Sequence, residues 1–429
     1  MTTQSNSMVA GRIDRQVVAG LQALLSTMNV APGRVNAANS LVPFEKLENI
    51  HFARFVILDD QTYNDLQLFG LHRDYPLYLA FLCDFDGDLE EFFNDLVRYA
   101  GPGLRRLFSF CEDFTESTDL LQWMRDHNRT AATSYVNWRG RTVKQIHEEA
   151  KLRQAIDAYL EANDSTFASQ PAELTRLQLR QFVDREIAAE RLTLTPPPPT
   201  PLSAKIANAL HPIGVVILIL LVGVPVLLLV IFRIRSEEKS APVYAPPPTP
   251  EHVRDLAILE DYESTNQFSV IGSLQPGLAR RWVVSFVLWV VQFTALHIYN
   301  QGWLARVRTI HFARWVFLDD KQRIYFASNY DGSLDSYMDD FINKVGFGLN
   351  LVFSNSIGYP ATRWLLLDGA SDEQKFKYVL RRHQLPTQVW YNAHPGITAI
   401  ELERNGLIRQ GLEAATLSEE AAREWVRLL

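Results

Sequence analysis

The chain has 429 residues, with 42 Lys+Arg against 49 Asp+Glu and a formal net charge of −7, which excludes a nucleic-acid protein held by bulk basic charge. Hydrophobic residues make up 47%, aromatics 11% and charged residues 21%, a globular composition that excludes a mostly disordered chain. Two cysteines, Cys83 and Cys111, are too few for a disulfide scaffold or a thiolate zinc site, and a mean hydropathy of −0.08 excludes a polytopic transporter.

In chain order, Ile13, Val17, Leu21, Leu24, Leu25 and Met28 fall at helical spacing and predict an amphipathic N-terminal helix. His51 to Leu58 and Tyr78 to Phe85 are apolar, aromatic and β-branched runs that predict strands, and Asp86-Gly87 marks a turn. Leu89, Phe92, Phe93, Leu96 and Val97 predict a helix that stops near Gly101. A strand around Leu107 to Cys111, a helix around Leu120 to Asp126 and a strand around Thr133 to Asn137 follow. Cys83 and Cys111, on predicted strands, read as buried thiols.

The proline tracts at Thr195 to Pro201 and Ala245 to Pro250 read as semi-rigid spacers, each with a PxxP spacing that an SH3-type domain could also bind. Between them Ile213 to Phe232 reads IGVVILILLVGVPVLLLVIF without a polar side chain. At about 1.5 Å per residue it is long enough to cross roughly 30 Å of hydrocarbon, and Pro225 is tolerated in such helices. Trp282 to Tyr299 is a second apolar stretch, interrupted by Ser285, Gln292, Thr294 and His297. It is compatible with a short span, an interfacial helix or a buried helix of the following domain.

Past the apolar run the chain repeats itself. IHFARFVILDD at Ile50 to Asp60 recurs as IHFARWVFLDD at Ile310 to Asp320, and LAFLCDFDGDLEEFF from Leu79 matches IYFASNYDGSLDSYM from Ile324. Gly101 and Gly103 correspond to Gly346 and Gly348, His127 to His383, Tyr135 to Tyr391, and Arg153-Gln154 to Arg409-Gln410. The second copy adds a predicted strand at Arg363 to Leu367 before a helix at Asp372 to Arg382. The order strand, helix, strand, strand, helix, strand predicts an α+β fold of two ferredoxin-like repeats around a transmembrane helix. The divisions are 1–165 (N-terminal helix and first repeat), 166–212 (helical and proline-rich stalk), 213–232 (transmembrane helix), 233–281 (linker), 282–299 (second apolar helix) and 300–429 (second repeat).

The repeats resemble the dimeric α/β-barrel superfamily, in which two ferredoxin-like sheets pack face to face. HFARWVFLDD, SNYDGS and PPPTPEHVRDLAILED resemble a family of bacterial membrane-associated proteins of that superfamily, which implies an inner-membrane location. A more distant similarity is to dye-decolourising peroxidases, whose GxxDG signature places an aspartate over haem. The matching pentads here, CDFDG at Cys83 to Gly87 and SNYDG at Ser328 to Gly332, both lack the first glycine.

Few polar positions recur in both copies: His51/His311, Arg54/Arg314, Asp86/Asp331 and His127/His383. His51 or His311 is a candidate haem ligand or general base. Asp86 or Asp331 with Arg54 or Arg314 is a candidate pair for polarising a peroxide. The alternative is structural: the histidine caps a strand edge, the arginine pairs with Asp59 or Asp60 (Asp319 or Asp320), and Asp-Gly supplies turn geometry. A His and an Arg three apart on a strand face opposite ways unless a bulge intervenes. The aromatics Phe52, Phe55, Phe81, Phe85, Phe312, Trp315, Tyr325, Phe326 and Tyr330 could line a hydrophobic ligand pocket or fill a core.

These readings give a membrane-anchored tandem protein binding a hydrophobic or redox ligand or a protein partner. A haem-dependent peroxidase and a structural membrane adaptor are the alternatives. The expected partner is the lipid bilayer and not nucleic acid, with the repeats pairing within one chain or in a homodimer. Copies packed on each other must lie on one side of the bilayer, which a single crossing forbids. Near-end charge points the C-terminal side inward for one crossing and decides nothing for two.

Overall fold

Along β2 (Ile50–Leu58), Phe52, Arg54, Val56 and Leu58 alternate with Ala53, Phe55 and Ile57, and both sets are buried. A strand covered on both faces must sit between two layers, and that sets the architecture of the computed structural model. It describes residues 4–60, 62–163, 167, 170–197, 214–240, 243–299, 302–304 and 306–429. The chain is a mixed α/β protein whose two principal sheets are antiparallel and four-stranded.

In the first half β1 (Gln4–Ile13), β2 and β3 (Leu77–Asp86) pair in the order β1-β3-β2. In the second half β5 (Thr265–Ser273), β6 (Ile310–Leu318) and β7 (Arg323–Asp331) pair as β5-β7-β6. The fourth strand of each sheet comes from the other half. β4 (Thr133–Val136) lies on β6 with Tyr135 opposite Ala313, and β8 (Thr387–Asn392) lies on β2 with Tyr391 opposite Ala53. The residues leading into these strands touch the opposite sheet: Asn128 bridges Val9 and Gln384 bridges Val270, with Arg129 N donating to Met8 O at 2.7 Å and Leu385 N to Ser269 O at 2.8 Å. Each crossing strand therefore ties the edge of one sheet to the edge of the other.

Between the sheets Met8, Ala10, Val56, Leu58, Tyr78 and Leu82 meet Ile271, Val316, Leu318 and Tyr325. The outer face of the first sheet (Val9, Phe55, Phe81, Phe85) is covered by α1 (Val18–Ser26), α2 (Leu89–Phe108) and α3 (Leu120–His127). Burying each such phenylalanine stabilises the layer by about 1.5–3 kcal/mol. Helices α4 (Val143–Ala162) and α5 (Ala172–Ala188) form a separate apolar cluster with α11 (Ala399–Glu413) and α12 (Glu419–Val426). The segment read as a stalk is thus packed on the body in its described part. Arg176 of α5 is buried and donates to Gly411 O at 2.9 Å.

Two further helices are long and apolar enough to cross a membrane by length and composition, α6 (Gly214–Lys239) and α8 (Leu278–His297). They are separated by α7 (Pro250–Ala257) and β5. Within α6 the turns widen to a π-helical stretch at Ile219–Gly223 just before Pro225, where the missing N–H and the proline ring disturb the regular ladder. Most of its leucines face outward, with Leu221 72% and Leu229 70% exposed, whereas Leu227 packs on the core over the second sheet and Ile231 and Ile234 are buried. The inner face of α8, Val283, Val284, Val287 and Leu288, joins the core over the second sheet with α9 (Leu334–Phe353).

Several local expectations are corrected. Gln4–Ile13, unmarked in the sequence, is a strand, and the helix expected from Ile13 is confined to α1. Helix α2 does not stop at Gly101 but runs through Pro102 to Phe108, because Leu104, Leu107 and Phe108 continue the buried stripe of Leu96 and Ala100. The strand expected at Leu107 to Cys111 is therefore the last turn of α2 plus a single bridge from Cys111 to Ile13. Arg363 to Leu367 belongs to a two-residue hairpin, Thr362–Arg363 with Leu367–Asp368, outside both sheets and before α10 (Glu373–His383). The tract Pro198 to Pro201 lies outside the described residues, while Thr195 is held on the body by Glu148 and Arg409.

Candidate functional site

The two duplicated arginines project between the sheets, and each binds the sheet it does not belong to. Arg54 donates to Phe268 O at 2.8 Å, Ser269 Oγ at 3.1 Å, Ser328 O at 3.0 Å and Asn329 Oδ1. Arg314 donates to Ser7 O at 2.6 Å, Cys83 O at 2.8 Å and Asp84 Oδ1. Asn329 Nδ2 donates to Asp84 Oδ2 at 3.4 Å, which links the two braces. Burial pushes the Arg54 guanidinium below its usual value, partly offset by Tyr325 and Asp84. The space left beside the braces is about 10 Å³, lined by Phe52, Leu82, Phe312 and Ala327, against the roughly 300–1,000 Å³ of a small-molecule site.

These partners differ from those expected. Asp59 binds Arg15 at 2.9 Å and Asp319 binds Arg323 at 2.5 Å, so neither serves the duplicated arginines. No described hydrogen bond joins Arg54 or Arg314 to Asp86 or Asp331; the pairing offered for peroxide chemistry is not assembled.

The duplicated histidines and aspartates do come together. A register shift between Ile50 and Phe52, repeated between Ile310 and Phe312, frees His51 and His311 from strict alternation. His51 Nε2 meets Asp86 Oδ1 at 2.9 Å, and Asp86 Oδ2 accepts from Val143 N, the first residue of α4, at 2.7 Å. His311 Nε2 meets Asp331 Oδ1 at 2.7 Å, and Asp331 Oδ2 accepts from Ala399 N, the first residue of α11, at 2.7 Å. Each carboxylate thus satisfies an unpaired amide at a helix N-terminus while fixing a histidine on the neighbouring strand.

In one copy this pair extends into a chain of histidines. His51 Nδ1 lies 3.0 Å from His394 Nε2, and His394 Nδ1 lies 3.3 Å from His147 Nε2, which also meets Ala393 O at 2.7 Å. One proton order, assigned from the network, satisfies every link. His147 Nε2–H is shared between Ala393 O and His394 Nδ1, His394 Nε2–H donates to His51, and His51 Nε2–H donates to Asp86. His394 is buried, and desolvation, with lesser repulsion from His51, His147 and His311, holds it well below the usual histidine value. His147 and Lys144 line an open cleft of about 640 Å³ with Glu45, Glu48, Lys151 and Tyr391. In the other copy the matching positions are Trp138 and Glu403, so the chain of imidazoles is absent there.

A haem does not fit the residues first singled out for it. Both ring nitrogens of His51 are engaged, and its ring packs 5.2 Å from Phe312. His311 is bound to Asp331 and meets the Phe52 ring at 5.5 Å. Among the described residues, no group of three or more His, Cys, Asp and Glu is placed to hold a metal ion. His127 bonds Asp113 at 2.8 Å and His383 bonds Ile271 O at 2.9 Å, both apart from the arginine braces. The nine aromatics named as pocket candidates are all buried. Cys83 and Cys111 are free and buried, and desolvation raises both thiols.

Sequence reasoning missed Asp84, Asn329, His147 and His394. Asp84 and Asn329 stand at matching places in the two pentads and were legible there as a duplicated polar position. His147 and His394 carry no such signal, because neither recurs and 247 residues separate them. Compared with known proteins, the chain matches no family model and no curated protein sequence.

Proposed function

We propose that this chain is a membrane-associated scaffold, a structural adaptor built on two ferredoxin-like units fused into one α/β barrel, and that its duplicated His, Arg and Asp positions serve the barrel. The observation that carries this reading is the pair of arginine braces. Arg54 and Arg314 fill the space in which a barrel of this kind would hold a ligand, and they spend their donors on the opposite sheet. The barrel reading is supported by the order of strands and helices in each half and by the crossing strands that tie both sheet edges. The repeats would then pair within one chain.

Membrane association is supported by α6, whose outward leucines have no counterpart on an ordinary soluble surface. The bilayer we propose is the bacterial inner membrane, on the resemblance of the second copy to membrane-associated proteins of that location.

The test is fractionation and spectroscopy of the full chain made with a haem supply. The chain sediments with membranes, loses that behaviour when Leu221, Leu228 and Leu229 are changed together to Gln, and shows no Soret band. A stoichiometric Soret band that is lost in His311→Ala, with peroxide-dependent dye oxidation lost in Asp331→Asn, would replace the scaffold by a peroxidase.

A further inference from the structure

Resting on that membrane reading, we infer that the chain enters and leaves the bilayer from the same side: α6 is seated in one leaflet and does not cross, and the occupant of its exposed face is lipid. The first argument is sidedness. β4 lies before α6 in the chain and pairs with β6 after it, and β8 lies after α6 and pairs with β2 before it. Hydrogen-bonded strands share one compartment, so both halves of the chain stand on one side.

The second argument is that both flanks of α6 are bonded to that body. Thr195 N donates to Glu148 Oε2 at 2.6 Å, and Thr195 O accepts from Arg409 at 2.7 Å. Glu238, at the other end, accepts from Thr362 Oγ1 at 2.7 Å, Trp364 N at 3.0 Å and Leu365 N at 2.9 Å. If Ile213 to Phe232 crossed, the chain would have to cross a second time to rejoin the body.

Neither neighbouring stretch can supply that crossing. The sequence from Pro196 to Pro212 carries six prolines and Lys205, whereas a span needs about 20 apolar residues whose backbone groups bond one another. Helix α8 cannot return the chain, because β5 precedes it and is already paired with β7 from Thr265 to Ser273. Its inner face is also committed to the core over the second sheet.

The third argument is the shape and chemistry of the exposed face. Helix α6 packs on α8 at Gly223, where a Cβ would stand 2.5 Å from the Phe286 ring. On α8 that ring stacks between Trp282 and Trp289, both partly exposed. The two helices make one apolar raft with tryptophans beside it and Arg233 exposed at its end, the arrangement that suits acyl chains, an aromatic interfacial layer and phosphate headgroups. A protein interface of this size would carry hydrogen-bonding groups across it, and Ile213 to Phe232 has no polar side chain.

The test uses the full chain expressed in a bacterial host, with Lys205→Cys or Lys239→Cys as the reporter and a membrane-impermeant maleimide as the probe. Cys83 and Cys111 are buried and supply a silent background. Labelling is compared between spheroplasts and sealed inside-out vesicles. Both reporters are expected to react from the same side and to be silent from the other. Reaction of Lys205→Cys from one side and Lys239→Cys from the opposite side overturns the single-leaflet seat while leaving membrane association standing. A folded chain that stays in the soluble fraction as a discrete dimer by light scattering overturns both, and assigns the raft to a second copy.

Discussion

The two ends of the paired sheets begin from the same residues and finish differently. At one end Asp331 binds His311, the first amide of α11 and the Thr265 hydroxyl, which donates to Oδ1 at 2.9 Å, and no second histidine joins among the described residues. At the other Asp86 binds His51 and the first amide of α4, and the network continues through His394 to His147 at the open cleft. What both ends share is a strand-to-helix tie that the fold needs twice. Recurrence in a duplicated chain therefore marks structure, and any departure from it is the place to look for added chemistry. The arginine braces obey the same logic, with one asymmetry: Arg314 faces the carboxylate of Asp84 where Arg54 faces the neutral amide of Asn329.

That asymmetry gives the largest expected effect. Arg314→Met leaves the Asp84 carboxylate buried without its cation and is expected to lower stability by about 3–5 kcal/mol. Arg54→Met leaves only neutral acceptors unpaired, so the loss is expected to be smaller, about 1–3 kcal/mol. Urea unfolding followed by circular dichroism ranks the two. Equal losses would show that the charge on Asp84 does not distinguish the ends, and the double variant Arg314→Met/Asp84→Leu should recover most of the single loss.

The strands carrying the repeated block were legible because the apolar runs, the Asp-Gly turns and the duplication agree. What could not be read is which sheet the fourth strand joins. The pattern at Thr133 to Val136 specifies a buried strand, and burial is satisfied equally beside β1 or beside β6; only the closed ring of pairings decides. The end of α2 was misread for a related reason. Gly101 after a helical stripe signals a stop, but the stripe continues through Leu104, Leu107 and Phe108, and Gly103 two residues on is small because the Leu41 carbonyl lies against it. The His51–His394–His147 chain is contributed by three distant segments, and no local spacing announces it.

The same glycines sharpen the comparison at a smaller scale. A Cβ at Gly103 would overlap the Leu41 carbonyl, whereas at the matching Gly348 no neighbour lies within 4 Å. Gly103→Ala is expected to cost about 1–3 kcal/mol through a forced backbone shift. Gly348→Ala is expected to stabilise by roughly 0.5–1 kcal/mol through helix propensity. Thermal unfolding of the two variants should move in opposite directions, and a shared direction would mean that the loop at Leu41 yields to the methyl group.

The last expected effect separates the two ends by pH. His394 is buried between His51 and His147 and is held well below the usual histidine value by desolvation first and by His51, His147 and His311 next. Its proton is therefore bound less readily in the folded than in the unfolded chain. The stability it contributes is present above about pH 6.5, the unfolded value, and is lost as the pH falls below it, at a rate approaching about 1.4 kcal/mol per unit until the folded value is reached. His394→Gln keeps an N–H donor toward His51 and removes the titration, so its unfolding free energy should fall less steeply between pH 6.5 and 5 than that of the parent chain. The matching change Trp138→Gln, at the end where no chain of imidazoles extends from His311, should leave the slope untouched even where it lowers stability. A parent slope equal to that of His394→Gln would mean that the chain of histidines opens to water and takes up its proton without resisting it.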